Sequence, residues 1–257
     1  MIHYKTGEEI ELIKESAQIL GKAHAEVARM IKPGAKTSEM DRVAEEFIRD
    51  HGGVPSFLNY NGFPYTLCVS PNEQVVHGFP SDRELRDGDI LSIDCGVYYQ
   101  GFHSDSAYTY PVGQVEEEKL QLLRVTKESL YKGIDEAVVG KRVGDISYAI
   151  QHHVEAYGYT VVRELVGHGV GRDLHEEPEV PNYGKRGRGA KLKEGMVIAI
   201  EPMINLGKKE IVQESDGWTI RTRDRAASAH YEHTVAVRKG KAEILTTHEY
   251  IEEVFKF

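Results

Sequence analysis

A repeat constrains this chain more than any other feature. Residues 31 to 52, IKPGAKTSEMDRVAEEFIRDHG, align with residues 137 to 158, AVVGKRVGDISYAIQHHVEAYG, at an offset of 106. LRDGDILSID, ending at Asp94, aligns with LKEGMVIAIE, ending at Glu201, at an offset of 107. By the same logic Asp105, opening Asp-Ser-Ala-Tyr-Thr-Tyr, matches Glu232, opening Glu-His-Thr-Val-Ala-Val. Each half then reads as helix, glycine turn, helix and a strand ending in a carboxylate. The second half carries an extra segment around Asn205 to Thr222. No Pro/Ser-rich linker separates the halves. The expectation is a single α+β domain over residues 1–257, duplicated over roughly 5–112 and 116–240, with two joined sheets and helices on the outer face.

Local signals set the elements. Thr6 and Glu9 have capping-box spacing, and Ile10, Ile13, Ala17, Leu20, Ala23 and Val27 recur at helical intervals to about Ile31. Pro33-Gly34 ends that helix. Ser38 with Asp41 reads as the start of a second, which His51-Gly52-Gly53 stops. Leu67 to Val69 and Val75-Val76 are short strand candidates. Leu91 to Tyr110 reads as a hairpin turning at Gln100-Gly101, and it places Asp94 and Asp105 on neighbouring strands. Glu116 to Val138 and Val143 to Tyr157 are helical patterns.

Composition narrows the class. With Lys+Arg 32 and Asp+Glu 41 the net charge is −9, which disfavours a specific nucleic-acid role and allows cationic ligands. Cys68 and Cys95 lie outside any CxxC, so neither a disulfide framework nor a thiolate zinc site is indicated, and a reducing, cytoplasmic setting fits. No signal-peptide core occurs, and no apolar run reaches the roughly 18 residues of a membrane span.

Unpaired carboxylates in a low-dielectric interior must be protonated, paired or bound to metal. If the halves are related by a rough two-fold, Asp94, Asp105, Glu201 and Glu232 converge, and cations are the usual remedy for their repulsion. His168, in Gly167-His168-Gly169-Val170-Gly171, is a fifth candidate ligand, left unobstructed by flanking glycines. This oxygen-rich set suits Mn²⁺, Fe²⁺, Co²⁺ or Mg²⁺ and exceeds what one ion needs. Two ions about 3.5 Å apart would generate a hydroxide nucleophile at neutral pH, which is hydrolase chemistry.

The stretches SPNEQVVHGFP, DCGVYYQGFHSD, GHGVGRDLHEEP, IAIEPM and DGWTIRTRDRAASAHYEHTVAV resemble the signatures of the type I methionine aminopeptidases. The resemblance implies a pita-bread fold, two pseudo-symmetric halves of helices packed on a curved antiparallel sheet. It also implies a dinuclear site for Co, Mn, Fe, Zn or Ni. The implied reaction removes the initiator methionine of nascent polypeptides when the second residue is small, a metal-activated hydroxide attacking the first peptide bond. Carried over, Asp105 and Glu232 bridge both ions, Asp94 completes one site, and His168 with Glu201 completes the other. Glu201 also moves the proton, while His77 and His175 hold the scissile amide and stabilise its oxyanion. Phe57, Tyr60, Phe63, Cys68 and Trp218 line the methionine pocket by the same resemblance. Two positions depart from the pattern. Leu174 stands where an aromatic is common, and His230 where a glutamine is common.

Competing readings are weaker. Proline-directed peptidases share fold and ligands but usually carry a large extra N-terminal domain, and a binding module without catalysis predicts missing ligands. GHGVG departs from the GxGxxG spacing of a dinucleotide loop. The run Lys185-Arg186-Gly187-Arg188, continuing to Lys191 and Lys193, reads as a solvated loop, with a transient ribosome contact as its alternative. His3, His24, His51, His152, His153 and His248 read as surface residues. His103 and His233 adjoin the carboxylates and are either supporting or merely packed. A monomer is the default expectation.

Overall fold

The structure, a computed structural model, describes residues 1–256. The first helix, Gly7–Ala28, begins with the predicted capping box: Glu9 N–H donates to Thr6 Oγ1 at 3.2 Å and Thr6 N–H donates to Glu9 Oε2 at 2.9 Å. It buries Ile10, Ile13, Ala17, Leu20 and Val27, each large aliphatic contributing about 1.5–3 kcal/mol of transfer free energy. Ser16 Oγ ties it to the hairpin by donating to the Val97 carbonyl at 2.8 Å.

The second helix, Thr37–Asp50, begins one residue before the expected Ser38, and no side chain caps it. Asp41 has a different task. Its Oδ1 accepts the backbone N–H groups of Thr66 (3.0 Å) and Leu67 (2.8 Å), fixing the entry to strand Leu67–Pro71. The third and fourth helices, Glu117–Glu136 and Val143–Glu155, stop slightly short of their apolar patterns and pack on each other. A short helix, Glu249–Val254, packs on the first. No helix among the described residues is long and apolar enough to cross a membrane.

The hairpin pairs Ile90–Tyr99 with Phe102–Pro111 through Gln100 (φ 48°) and Gly101 (φ 90°), the two positive φ values of a type I′ turn. Asp94 faces Ala107 and Asp105 faces Gly96, so the two aspartates are diagonal neighbours on one face of the ladder. Strand Leu67–Pro71 pairs along the other edge and sets Cys68 opposite Asp94. A second antiparallel sheet holds Glu176–Val180, Gly167–Gly169, Val197–Ile200 and His233–Ala236 in that spatial order. His233 is opposite Ile200, so Glu201 and Glu232 leave the same end of this pair.

Glycines at the repeat offsets share backbone geometry: Gly34 and Gly140 (φ 84° and 98°), Gly52 and Gly158 (77° and 83°), and Gly88 and Gly195 (87° and 85°). Their common left-handed conformation is one that L side chains adopt only with strain. The sheets meet along a seam built largely of hydroxyls. Thr234 Oγ1 donates to Asp105 O (2.8 Å) and accepts Asp105 N–H (3.2 Å), and Thr109 Oγ1 donates to His230 O (2.7 Å) and accepts His230 N–H (2.9 Å). Between these reciprocal clasps, Glu232 N–H donates directly to Ala107 O at 3.0 Å, and Ser106 Oγ donates to Glu232 O at 3.0 Å. The seam holds the backbones of Asp105 and Glu232 side by side.

Two surface expectations are corrected. His24 and His248 are buried, at 2% and 4% exposure. His24 Nε2 bonds the Ser106 carbonyl at 2.9 Å, while His248 stacks on His233 with ring centroids 3.9 Å apart. Burial holds His24 near a pKa of about 4 and His248 well below its ordinary value, so both are neutral.

Candidate metal centre and its pocket

Asp105, His168 and Glu232 each bring one donor atom within 4.8 Å of the others, and all three residues are buried. Glu201 adjoins them, its Oε1 3.6 Å from His168 Nε2, while Asp105 Oδ2 is 3.8 Å from the same nitrogen. Asp94 adjoins Asp105 diagonally across the hairpin and lines the same cavity. Asp94 Oδ1, Asp105 Oδ1 and Glu232 Oε1 are buried without a hydrogen-bond partner. Orphaned buried oxygens of this kind are costly unless a cation or proton serves them.

The electrostatics agree. Burial pushes Asp94 up to about 7 and Glu201 up to about 8. Burial, then repulsion from their carboxylate neighbours, raises Asp105 and Glu232 well above the usual range. His168 is pushed down to about 3 by burial and by His175, so its contacts with Asp105 and Glu201 are not ion pairs. Its Nδ1 lies 2.8 Å from the Gly169 carbonyl, which fixes the proton on Nδ1 and leaves the Nε2 lone pair facing the carboxylates. A neutral imidazole and four carboxylates that would otherwise hold protons form a donor set for divalent cations.

The set floors a cavity of about 300 Å³. Phe57, Phe63, Cys68 and Leu174 form its apolar wall, with Tyr60 and Trp218 packed against them. Phe63 meets Trp218 edge-on at 5.2 Å between centroids. Trp218 is delivered by the extra segment of the second half, in which Asp216 Oδ1 accepts the N–H groups of Trp218 and Thr219, both at 2.8 Å. Strand Ile220–Thr222 then pairs with Gln74–Val76, bringing Trp218 and His77 to one wall. His77 sits at φ 58°, a strained conformation for a non-glycine residue. Burial brings its pKa down to about 4, with His230 and His175 adding to the effect. Burial also lowers His175, whose Nδ1 lies 2.9 Å from Tyr60 Oη. With Tyr60 donating, the His175 proton resides on Nε2.

Residues 11–239 match the sequence profile of metallopeptidase family M24. The chain is 53% identical over 246 residues to methionine aminopeptidase of Clostridium perfringens, covering 96% of this chain and 99% of that one. The chain belongs to the methionine aminopeptidases of metallopeptidase family M24. A solved methionine aminopeptidase from Thermotoga maritima superposes with a TM-score of 0.94 at 44% identity, covering 96% of this chain and all of that one. Prolidase from Pyrococcus horikoshii shares the fold at a TM-score of 0.78 and 25% identity, and this chain covers 63% of it. The architecture is the pita-bread fold, and membership of family M24 carries divalent-metal dependence with it.

Every residue singled out from the sequence for metal, amide or methionine contact lies on this one cavity. Leu174 and Asn61 also line it. Asn61 escaped the sequence reading; its signal is an Asn-Gly pair, and it sits at φ 50°. Tyr65 and Phe79, also missed, support the wall by packing on Phe63 at 6.1 and 5.6 Å. His103 and His233 do not reach the cavity. His103 bonds Ser56 Oγ at 2.8 Å, and His233 bonds Thr246 Oγ1 at 2.8 Å on the far side of its strand. His230 Nε2 lies 3.6 Å from Glu201 Oε2, directly behind the metal set.

Proposed function

We propose that the protein removes the N-terminal methionine from nascent polypeptides whose second residue is small. The observation that carries this reading is an aromatic, methionine-sized cavity floored by four carboxylates, those of Asp105 and Glu232 buried, and one neutral imidazole. Asp94, Asp105, His168, Glu201 and Glu232 would hold two divalent cations, drawn from Co, Mn, Fe, Zn or Ni. Such ions supply Lewis-acid activation of water and of the scissile carbonyl. The acidic floor attracts the substrate's α-ammonium, and Phe57, Tyr60, Phe63, Cys68 and Trp218 enclose the methionine side chain. Glu201 takes a proton from the attacking water and returns it to the leaving amine. His77 and His175 hold the scissile amide and stabilise the negative charge that develops on its oxygen. A crowded cavity rim excludes bulky second residues.

The whole chain acts as one catalytic domain, duplicated over roughly 5–112 and 116–240, and works as a cytoplasmic monomer. Any ribosome contact is transient and runs through the basic loop at 185–193. Incubation with Met-Ala-Ser and Ala-Pro-Ala under Mn²⁺ or anaerobic Fe²⁺, read by mass spectrometry, tests the reading. Release of methionine from the first peptide alone is expected. Preferential cleavage of the second would make the protein a proline-directed peptidase, and inactivity on both despite bound metal would make it a binding module.

A further inference from the structure

The loop that carries His175 into the cavity is held from outside the cavity. Glu176 Oε1 accepts the backbone N–H of Arg172 at 2.9 Å and that of Asp173 at 3.4 Å. Glu176 Oε2 is taken by Lys5 Nζ at 2.5 Å, and the two side chains are only 4% and 5% exposed. Lys5 is itself anchored, its N–H donating to Gly195 O at 2.7 Å, while Ile2 bridges Glu177. At the loop's other end, His103 N–H donates to Gly171 O at 2.8 Å. The pair also accounts for Gly171, and the Lys5 backbone accounts for Gly195. A Cβ on Gly171 would stand 2.2 Å from Glu176 Oε1 and 2.5 Å from Lys5 Cε, and one on Gly195 would stand 2.7 Å from Lys5 O.

A buried ion pair is weak evidence for stability, because desolvating both charges offsets much of their attraction. It is strong evidence for fixed geometry, because neither partner can leave without stranding a charge. We infer that Lys5 and Glu176 are a positioning pair for the reaction: together they hold residues 171–175 so that the His175 imidazole reaches the scissile amide. This rests on the role proposed above for His175. Lys5 touches neither substrate nor metal ligand, and it acts through the loop. Misplacing a reacting group by about 1 Å costs on the order of 100-fold in rate.

The test is a set of variants of the full-length metal-loaded protein assayed on Met-Ala-Ser: Lys5→Met, Glu176→Gln, His175→Ala and their pairwise combinations. Lys5→Met and Glu176→Gln should each lower kcat by about 10- to 100-fold, with KM and Mn²⁺ affinity within about twofold of the parent. Their combination should lose about as much as the worse single variant, and Lys5→Met should cost nothing further in the His175→Ala background. The Lys5→Met/Glu176→Gln variant strands no charge, so it keeps the test decisive where Lys5→Met alone fails to fold. A normal kcat in that variant, or a Lys5→Met loss that persists undiminished without His175, overturns the inference. An impaired His175→Ala beside a normal Lys5→Met sinks the positioning role alone. An unimpaired His175→Ala sinks the role of His175 and this inference with it.

Discussion

The two halves deliver their acids differently. Asp94 and Asp105 project from the interior of ten-residue strands, locked by a continuous ladder with Gly96 and Ala107 opposite them. Glu201 and Glu232 stand one residue outside four-residue strands, where pairing ends. The hairpin acids are the shorter aspartates, and the acids at the strand ends are glutamates with one more methylene. Beyond Glu201 the chain runs into Met203–Asn205 and the segment that delivers Trp218. The first half thus supplies its acids from inside a continuous ladder, and the second links its acids along the chain to the pocket wall.

The sharpest way to break this comparison is to delete one acid from each half. Asp105→Ala and Glu232→Ala, both in the tight trio with His168, should each lower kcat/KM by at least about 1000-fold, some 4 kcal/mol of transition-state stabilisation. Asp94→Ala, outside that trio, should cost less, and steady-state assays at saturating Mn²⁺ rank the three. A smaller change tests reach. Glu201→Asp should reduce kcat by about 100-fold while Mn²⁺ affinity by calorimetry falls no more than about tenfold. A fully active variant would mean that the strand end follows its side chain.

Protons offer a subtler probe. In the metal-free protein Asp94 and Glu201 titrate near 7 and 8, above their ordinary values because of burial, so below pH 7 a cation must displace protons to enter. Mn²⁺ affinity should therefore rise between pH 6 and 8, with proton release detectable by calorimetry in buffers of different ionisation enthalpy. The smallest effect lies at the helices. Asp41, raised to about 6 chiefly by burial, has Ser147 as its counterpart in the repeat. Folded Asp41 keeps its proton from about pH 4 to 6 while the unfolded chain loses it, so this group's contribution to stability falls as pH rises through that window. Urea midpoints of metal-free Asp41→Asn at pH 4, 5 and 6 should show a shallower decline than the parent.

Much of this was legible because it depends on local rules. The Thr6–Glu9 box, the Gln100-Gly101 turn and the paired glycines follow from backbone sterics, and helical spacing located the four long helices. The family motifs pointed to a single cavity because they mark strand residues, strand ends and turns that converge on it. What stayed hidden depends on distant partners. Asp41 resembles a helix cap until Thr66 and Leu67 arrive to use it. His24 and His248 resemble surface residues until Ser106 and His233 enclose them. Lys5, in a polar N-terminal stretch, gives no sign of the buried carboxylate 171 positions away.

The hydroxyl seam has an architectural consequence. Most of its clasps need only a hydroxyl and a peptide group, so the hydrogen bonding across the border does not depend on which side chains flank it, while Tyr108 packs on Tyr231 beside it. A chimaera of two M24 relatives would have to keep Ser106, Thr109 and Thr234 together with the Tyr108–Tyr231 contact that packs beside them. Replacing either threonine by valine, close in outline but mute in hydrogen bonding, would remove one clasp and loosen the halves at the line where their acids meet.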